Sequence, residues 1–442
     1  LLLYKVVLAK GLNTPTAPPD PGGALLWGLF RRIETLYGLV PVAGKATVSN
    51  PSRTTGAVTG ELGFSVPAGL PLGYSVTAEP TQGSLTIVGM GYYTYTPDAG
   101  SHGGTDSFTV SASSVWAATT STITVPVMVP ATTVPAGTTV TIGIDGQPNA
   151  VAFSPDGRRA YITSTGDAFT GDGAVSVVDT AANAVVATVG DGRIPGGVAV
   201  SPDGSTLYLA APAKFPAITH ASVVTVDTGT GNIGAAIDIG PDPRGMAISP
   251  DGSRAYVVDG GNGAAGKGTV AVVDTASKAV IATIGVGDDP SAVAVSPDGN
   301  KVFVVGLSGA MSVIDNEKNS TTTVKGVGRE PAGIAVSPDG KHVYITDLFD
   351  GGVRVIDTAT NLVSATILLG AVVGGVAVSP DGKHVYVADA QGSVAVIDAG
   401  TNTLAGAILV GGVPTKVAVS PDGRQIYVLT TYDRSVMVIP AL

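Results

Sequence analysis

The sequence contains no cysteine. That excludes disulfide staples, thiolate metal sites, thioether-linked haem and a cysteine nucleophile, and it leaves the compartment open. Charge is also sparse: Asp, Glu, Lys and Arg make up 13% of the 442 residues, and the net charge is −10. The basic footprint of a nucleic-acid binder is therefore missing. Histidine occurs only at His102, His220, His342 and His384. His342 and His384 fall in the same slot of neighbouring repeats, and imidazole ligation needs convergence, so no metal is expected. Both tryptophans, Trp27 and Trp116, precede the repeats and leave no indole there to stack on a flat quinone-type cofactor. No cofactor of any kind is expected. A membrane span is not expected either, because Leu1 to Leu8 is short and interrupted by Lys5. The chain starts at Leu1 without an initiator Met, which reads as a processed or trimmed product, so that any export signal would already have been removed.

What is abundant is Gly (61 residues), with Ser, Thr, Val and Ala around it, a mixture suited to short strands and tight turns. The tetrapeptide Ser-Pro-Asp-Gly occurs seven times, beginning at Ser154, Ser201, Ser249, Ser296, Ser337, Ser379 and Ser420. Each copy follows a Val-Ala-Val-like run and precedes an apolar triplet, and repetition at this period means a solenoid, propeller or array. A strand-end Asp recurs at Asp179, Asp227, Asp274, Asp315, Asp357 and Asp398, each 22 residues before the next Ser. From each Ser to the following Asp the count is 25, 26, 25, 19, 20 and 19, so all length variation lies in one segment.

Four strands fit one repeat, for instance Val198 to Ser201, Leu207 to Ala210, Val223 to Asp227 and Ile233 to Ile239. The tetrapeptide is the hairpin between the first two: Pro presets φ, Asp closes the turn, and Gly accepts φ > 0. Four-stranded sheets repeated seven times describe an all-β fold, a seven-bladed β-propeller. The last repeat lacks an outer strand, and Thr138 to Ile144 is a strand lacking an inner partner. The N-terminal strand is therefore expected to complete the seventh blade and leave no open edge.

Upstream, residues 1–43 form a leader with a Pro-rich linker over Asn13 to Gly23 and a short amphipathic helix near Ala24 to Tyr37. Leu26, Phe30, Ile33 and Tyr37 share one face of it. That face suits docking on the neighbouring domain, or alternatively a membrane interface or partner. Residues 44–130 alternate in short runs (Leu72 to Thr77, Ser84 to Val88, Tyr92 to Thr96, Ser107 to Ser111, Ser121 to Val127) and predict an Ig-like β-sandwich. Residues 131–137 are a linker, and the propeller occupies 138–442.

Two resemblances add to this reading. Gly73-Tyr74-Ser75-Val76-Thr77, Gly83-Ser84-Leu85-Thr86-Ile87, Tyr93-Thr94-Tyr95-Thr96-Pro97 and Gly104-Thr105-Asp106-Ser107-Phe108-Thr109-Val110 resemble the cadherin-like, Ig-like repeats of bacterial surface proteins. Those repeats often hold calcium on an Asp-rich turn; this chain has Ser65-Val66-Pro67-Ala68-Gly69 and Ser113-Ser114 there, leaving Asp106 nearly alone, so calcium is not expected. The triplets Tyr161-Ile162-Thr163, Tyr208-Leu209-Ala210, Tyr256-Val257-Val258, Phe303-Val304-Val305, Tyr344-Ile345-Thr346, Tyr386-Val387-Ala388 and Tyr427-Val428-Leu429 resemble the YVTN family of β-propellers. That family implies the fold and leaves function open, since such propellers occur in surface-layer proteins, lactonase-like enzymes and redox-enzyme subunits. The combination resembles exported or cell-surface proteins of high-GC Gram-positive bacteria.

No catalytic constellation emerges: the strand-end Asp residues suit Asx-type turns, and no Gly-x-Ser-x-Gly elbow sits in a strand-turn-helix setting. The extra residues of the first three repeats, Ser164 to Ala174, Ala211 to Ser222 and Asp259 to Thr269, place three long loops on one sector of one face. Long loops on a rigid scaffold favour binding. The candidate binding residues are Asp167, Asp172, Lys214, His220 and Lys267 on those loops, with Arg193, Arg244 and Arg329 on the crossovers between blades. The expectation is a non-catalytic extracellular or cell-envelope protein that binds a protein or glycan at the long-loop face. The alternatives are a lactonase-like hydrolase at the channel mouth and a structural subunit of a larger envelope assembly.

Overall fold

A computed structural model describes residues 40–49, 57–67, 71–88, 91–98, 102–114, 120–131, 139–166, 173–190, 195–211, 221–261, 267–318 and 320–441. The expected leader helix lies outside the described residues. The chain divides into two compact units, residues 1–132 and 133–442, and every regular element described is a strand.

The first unit has eight described strands: β1 (Val42–Ala43), β2 (Val58–Glu61), β3 (Phe64–Ser65), β4 (Leu72–Ala78), β5 (Gly83–Val88), β6 (Tyr92–Pro97), β7 (His102–Ser114) and β8 (Thr120–Ala131). They pair as β1-β3, β2-β6-β5 and β4-β7-β8. Period-two alternation drives the core: Tyr93 and Tyr95 of β6 are buried while Tyr92 is 48% exposed. Tyr93 meets Phe108 edge-to-face at 5.1 Å, and Val58, Leu62, Val125 and Val127 close around them. β7 runs well beyond the expected Ser107 to Ser111, because its pairing with β8 continues from His102↔Ala131 to Ser113↔Thr120. Gly103 and Gly104 fall inside this strand.

Asp106 is buried and accepts from Thr81 N at 3.0 Å, Gln82 N at 2.8 Å, Ser107 N at 2.8 Å, the Thr81 hydroxyl and the Tyr95 hydroxyl. Burial alone would raise its pKa, but the backbone donors outweigh that and hold it below the usual range. Burial, reinforced by this carboxylate, raises the Tyr95 phenol. Asp106 is a strut that ties a turn to the sandwich.

The second unit is a series of antiparallel four-stranded sheets. Repeat two is typical, with Gly197–Val200, Thr206–Ala211, Ser222–Asp227 and Ile233–Asp238 paired in that order. The first strands are Gln147–Phe153, Gly197–Val200, Pro243–Ile248, Pro290–Val295, Pro331–Val336, Val373–Val378 and Pro414–Val419. Successive first strands lie side by side, and the last of them returns to lie beside Gln147–Phe153. Strand β9 (Val140–Gly143) pairs antiparallel with Ser435–Pro440, from Ser435↔Gly143 to Val438↔Val140, and so supplies the fourth strand of the last sheet. The arrangement is propeller-like. Tyr161, Tyr208, Tyr256, Phe303, Tyr344, Tyr386 and Tyr427 anchor the cores between sheets, none more than 5% exposed.

Each Ser-Pro-Asp-Gly turn closes on the same small network. In the copy at Ser249, the hydroxyl donates to Asp251 and accepts from Arg254 N at 2.9 Å, while Asp251 accepts from Ser253 N at 3.0 Å. That hydroxyl bond, helped by the Ser253 donors, pulls the Asp251 pKa down to about 2. The glycine has φ of +74° at Gly252, the left-handed region that favours Gly. These glycines also face the next turn: a Cβ on Gly204 would lie 3.4 Å from Pro155, one on Gly252 3.0 Å from Pro202, and one on Gly157 3.6 Å from Pro421. The turns thus form a continuous ring of Gly–Pro contacts across one face.

Candidate functional site

The opposite face carries the second-to-third-strand loops and the crossovers between sheets. Backbone bonds knit the two together, as in Gly260 N to Asp242 O at 2.9 Å, Leu307 N to Asp289 O at 3.1 Å and Leu348 N to Glu330 O at 3.1 Å. Two repeats add a buried carboxylate at the end of the second strand. Asp347 accepts from Arg329 N at 2.8 Å and Glu330 N at 3.2 Å on the crossover, and from Phe349 N at 3.0 Å on the loop. Burial opposes its charge, but these backbone donors prevail and its pKa is lowered. Asp259 does the same for Asp242 N at 2.9 Å and Gly261 N at 3.1 Å. Both carboxylates are held by backbone donors from the crossover and the loop.

Of the residues expected to bind, Asp167, Asp172, Arg193, Lys214 and His220 lie outside the described residues, and Lys267 is described only as the first residue of the strand Lys267–Asp274. Arg244 is held between two carboxylates, with Nε 2.8 Å from Asp242 and Nη1 2.5 Å from Asp289. Burial would lower its pKa, but the bonds to Asp289 and Asp242 reverse this and raise it. This guanidinium ties two crossovers together through Nε and Nη1. Arg329 is exposed, and its guanidinium carbon sits 3.6 Å from the centre of the Phe349 ring. Phe349 itself is 58% exposed, and Leu307, Val372 and Tyr432 are also exposed on this set of connections.

The first strands surround a central channel of about 470 Å³. A separate cavity of about 10 Å³ beside Val175 and Leu209 has room for no more than a water. The channel is positioned by the bulges that open the first strands, at Pro148/Ala150, Pro243/Met246, Pro290/Ala292, Pro331/Gly333, Val373/Val376 and Pro414/Lys416. A bulge re-aims side chains and often marks a site. Asn149, Arg244, Ser291 and Lys416 are the polar side chains among the lining residues. Ser291 Oγ donates to Val305 O at 3.3 Å and Pro331 O at 3.4 Å.

Lys416 departs from the repeat. The position four residues before the Ser of each tetrapeptide is Ala150, Gly197, Gly245, Ala292, Gly333 and Gly375 in the first six repeats, and Lys416 in the seventh. The small residues have a steric cause: a Cβ on Gly197 would come 2.8 Å from Arg244 O, and one on Gly333 3.1 Å from Gly374 O. Where glycine stands in this ring, even a Cβ would crowd the neighbouring strand. Lys416 finds room because Gly375 is opposite, its Cδ 3.0 Å from where a Gly375 Cβ would stand. It is half-buried at the channel wall, and partial desolvation draws its pKa below the ordinary lysine value. No carboxylate among the described residues offsets its charge. Sequence reasoning missed this residue; the signal was one lysine in a column of Gly and Ala.

Among the described residues, no group of three or more His, Cys, Asp or Glu gathers to hold a metal ion. His342 and His384 are strand residues paired with Asp357 and Asp398, and the Nδ1 of each is buried without a partner.

Comparison with known proteins gives a concordant outline. No curated protein matches the chain. Among solved structures, hydrazine synthase from Kuenenia stuttgartiensis is similar in fold, with a TM-score of 0.58 and 24% identity, over 69% of this chain and 98% of that one. Residues 40–128 match the Bacterial Ig domain family, and they are followed at 144–308 by a match to the SMP-30/Gluconolactonase/LRE-like region, a propeller-type family.

Proposed function

We propose that this chain is a non-catalytic binding protein of the cell exterior or envelope, with a protein or glycan partner held on the connection face of a seven-bladed propeller of YVTN type. The pairing of Ig-like module and YVTN repeats suits exported proteins of high-GC Gram-positive bacteria, the Ig-like module acting as spacer or docking domain. The observation that carries the reading is the contrast in exposed surface. Phe349 and Tyr432, 58% and 73% exposed, stand on the second-to-third-strand loops of the fifth and seventh repeats, with Leu307 on that of the fourth and Val372 on a crossover. Aromatic side chains of this kind supply large contact area at low entropic cost. Arg329 stacked on Phe349 adds a cation already in place over an apolar platform. The binding surface then extends from the long loops of the first three repeats to the short loops of the later ones.

The test compares wild type with a Phe349→Ser/Tyr432→Ser double variant, on a glycan array and in cross-linking to purified envelope fractions. Loss of a specific glycan or cross-linked protein in the variant supports the reading. Equal capture by both proteins removes the surface from consideration.

A lactone-hydrolysing activity at the channel mouth is the second reading, favoured by the match of residues 144–308. Arg244 and Arg329 are the residues it would use, and Arg244 already bonds Asp242 and Asp289. Turnover on a lactone panel that is lost in Arg244→Ala would establish the enzyme in place of the binder.

A further inference from the structure

We propose that the connection face takes an acidic segment of a protein partner, its carboxylates bound by Arg329 and Arg434 beside the exposed rings of Phe349 and Tyr432. This rests on the reading of that face as the binding surface, and it narrows the partner to one chemistry.

The distribution of free arginines carries it. Of the arginines described, Arg158, Arg159, Arg244, Arg354 and Arg424 each meet a carboxylate, and Arg254 bonds the Asn316 side chain. No acceptor among the described residues reaches the guanidinium of Arg329 or Arg434, and both side chains are exposed. Glu330 and Asp433 adjoin them in sequence without forming an ion pair with either. These two free cations stand next to the two most exposed aromatic residues described. Arg329 lies 3.6 Å from the centre of the Phe349 ring, and Arg434 shares the loop 431–434 with Tyr432.

The backbone at Arg434 adds a second observation. In repeats four to seven, the residue just before the third strand has a left-handed backbone: Gly309 at φ +77°, Gly351 at +64°, Gly392 at +98° and Arg434 at +49°. A side chain is disfavoured in that conformation, and three repeats meet it with glycine. Arg434 stands there against the local preference, with no bond inside the protein to offset the strain. An outlier of this kind points to a role outside the fold.

The chemistry of the face selects the partner. A guanidinium matches a carboxylate with two parallel N–H bonds in its own plane. Stacking on Phe349 engages the face of Arg329 and leaves those in-plane donors available. It also covers one side of the ring, removing a platform on which a sugar would stack. Leu307 and Val372, 41% and 53% exposed on the same face, are aliphatic and suit the apolar side chains of a peptide. A segment that mixes acidic and apolar residues answers both features. The net charge of −10 opposes such a partner at a distance, but that field fades within about 8 Å at physiological ionic strength, and contact pairs then decide.

Random peptides displayed on phage are selected against the immobilised full chain, and recovered sequences are synthesised for affinity measurement. Recovered peptides are expected to be rich in Asp and Glu next to aromatic or aliphatic residues, and to bind more weakly as salt is raised. Arg329→Gln and Arg434→Gly are each expected to weaken them about tenfold, as loss of a charged hydrogen-bond partner does. Arg434→Gly installs the glycine of the neighbouring repeats and should melt no lower than wild type, so it decides the matter if Arg329→Gln folds poorly. No recovered peptide, recovery without acidic enrichment, or equal affinity of Arg434→Gly and wild type overturns the proposal. The Phe349→Ser/Tyr432→Ser protein separates the two readings. If recovered peptides lack acidic residues yet lose affinity for it, the binding surface stands and only the acidic partner falls. If they bind it as they bind wild type, the surface and the proposal fall together.

Discussion

The two faces of the second unit are made from the same repeats and obey opposite rules. On the turn face, the Ser-Pro-Asp-Gly copies share hydroxyl–carboxylate bonds, positive-φ glycines and Gly–Pro contacts from one turn to the next. On the connection face the side-chain chemistry changes from repeat to repeat: pinned carboxylates stand at Asp259 and Asp347, an ion-paired arginine at Arg244, and a stacked pair at Arg329 and Phe349. Regularity follows where every repeat meets the same neighbour and the same requirement of closing a hairpin. Variation is tolerated where strand pairing is already complete and the connection only has to return to the sheet. The regular face reports on folding, and the irregular one is free to acquire binding.

The largest test of this contrast is a core anchor of the regular part. Tyr386→Ala removes a fully buried ring and is expected to destabilise by about 3–5 kcal/mol, read from denaturant midpoints. On the connection face, Asp347→Ala leaves its backbone donors without their acceptor and should cost about 1–3 kcal/mol. Ser249→Ala should cost about 1 kcal/mol, because one hydroxyl both donates and accepts in that turn.

The turn also predicts an acid response. Asp251 has its folded pKa lowered to about 2 from an ordinary 3.8, chiefly by the Ser249 hydroxyl. A depressed carboxylate contributes stability above its unfolded pKa and loses it as pH falls through the folded value. Wild type should therefore weaken between about pH 4 and pH 2, and Ser249→Ala should show a shallower fall across that window. The smallest effect is expected at the exposed apolar residues: Phe349→Ala and Tyr432→Ala should stay within about 0.5 kcal/mol of wild type in stability. A large loss there would make those side chains structural and erase the contrast.

Much of the scaffold is local enough to be read along the chain. The hairpin turns, the four strands per repeat and the closing strand at Val140–Gly143 all follow from turn chemistry, alternation and spacing. The site is less legible because it is made by residues far apart in sequence. Arg244 looks free until Asp289, 45 residues on, is seen to reach it. Asn149 and Lys416 share a channel only because the first and last repeats become neighbours. The exception at Lys416 was written in the repeat alignment, but loop length was the louder irregularity. β7 shows the same in the first unit, where pairing with β8 carries the strand beyond the alternating run Ser107 to Ser111.

The pairing of β9 with Ser435–Pro440 has a consequence for the order of events in synthesis. β9 emerges near the start of the second unit and its partner at the end, so the two wait for one another across nearly the whole unit. Until then β9 has no strand to pair with, and the sheet edges that will meet at the seam stand open, a hazard that chaperoned or rapid post-synthetic folding must cover. Loop closure over so long a span also slows the final step. The channel, whose wall includes both the first and the last repeat, comes into existence only when that step is complete.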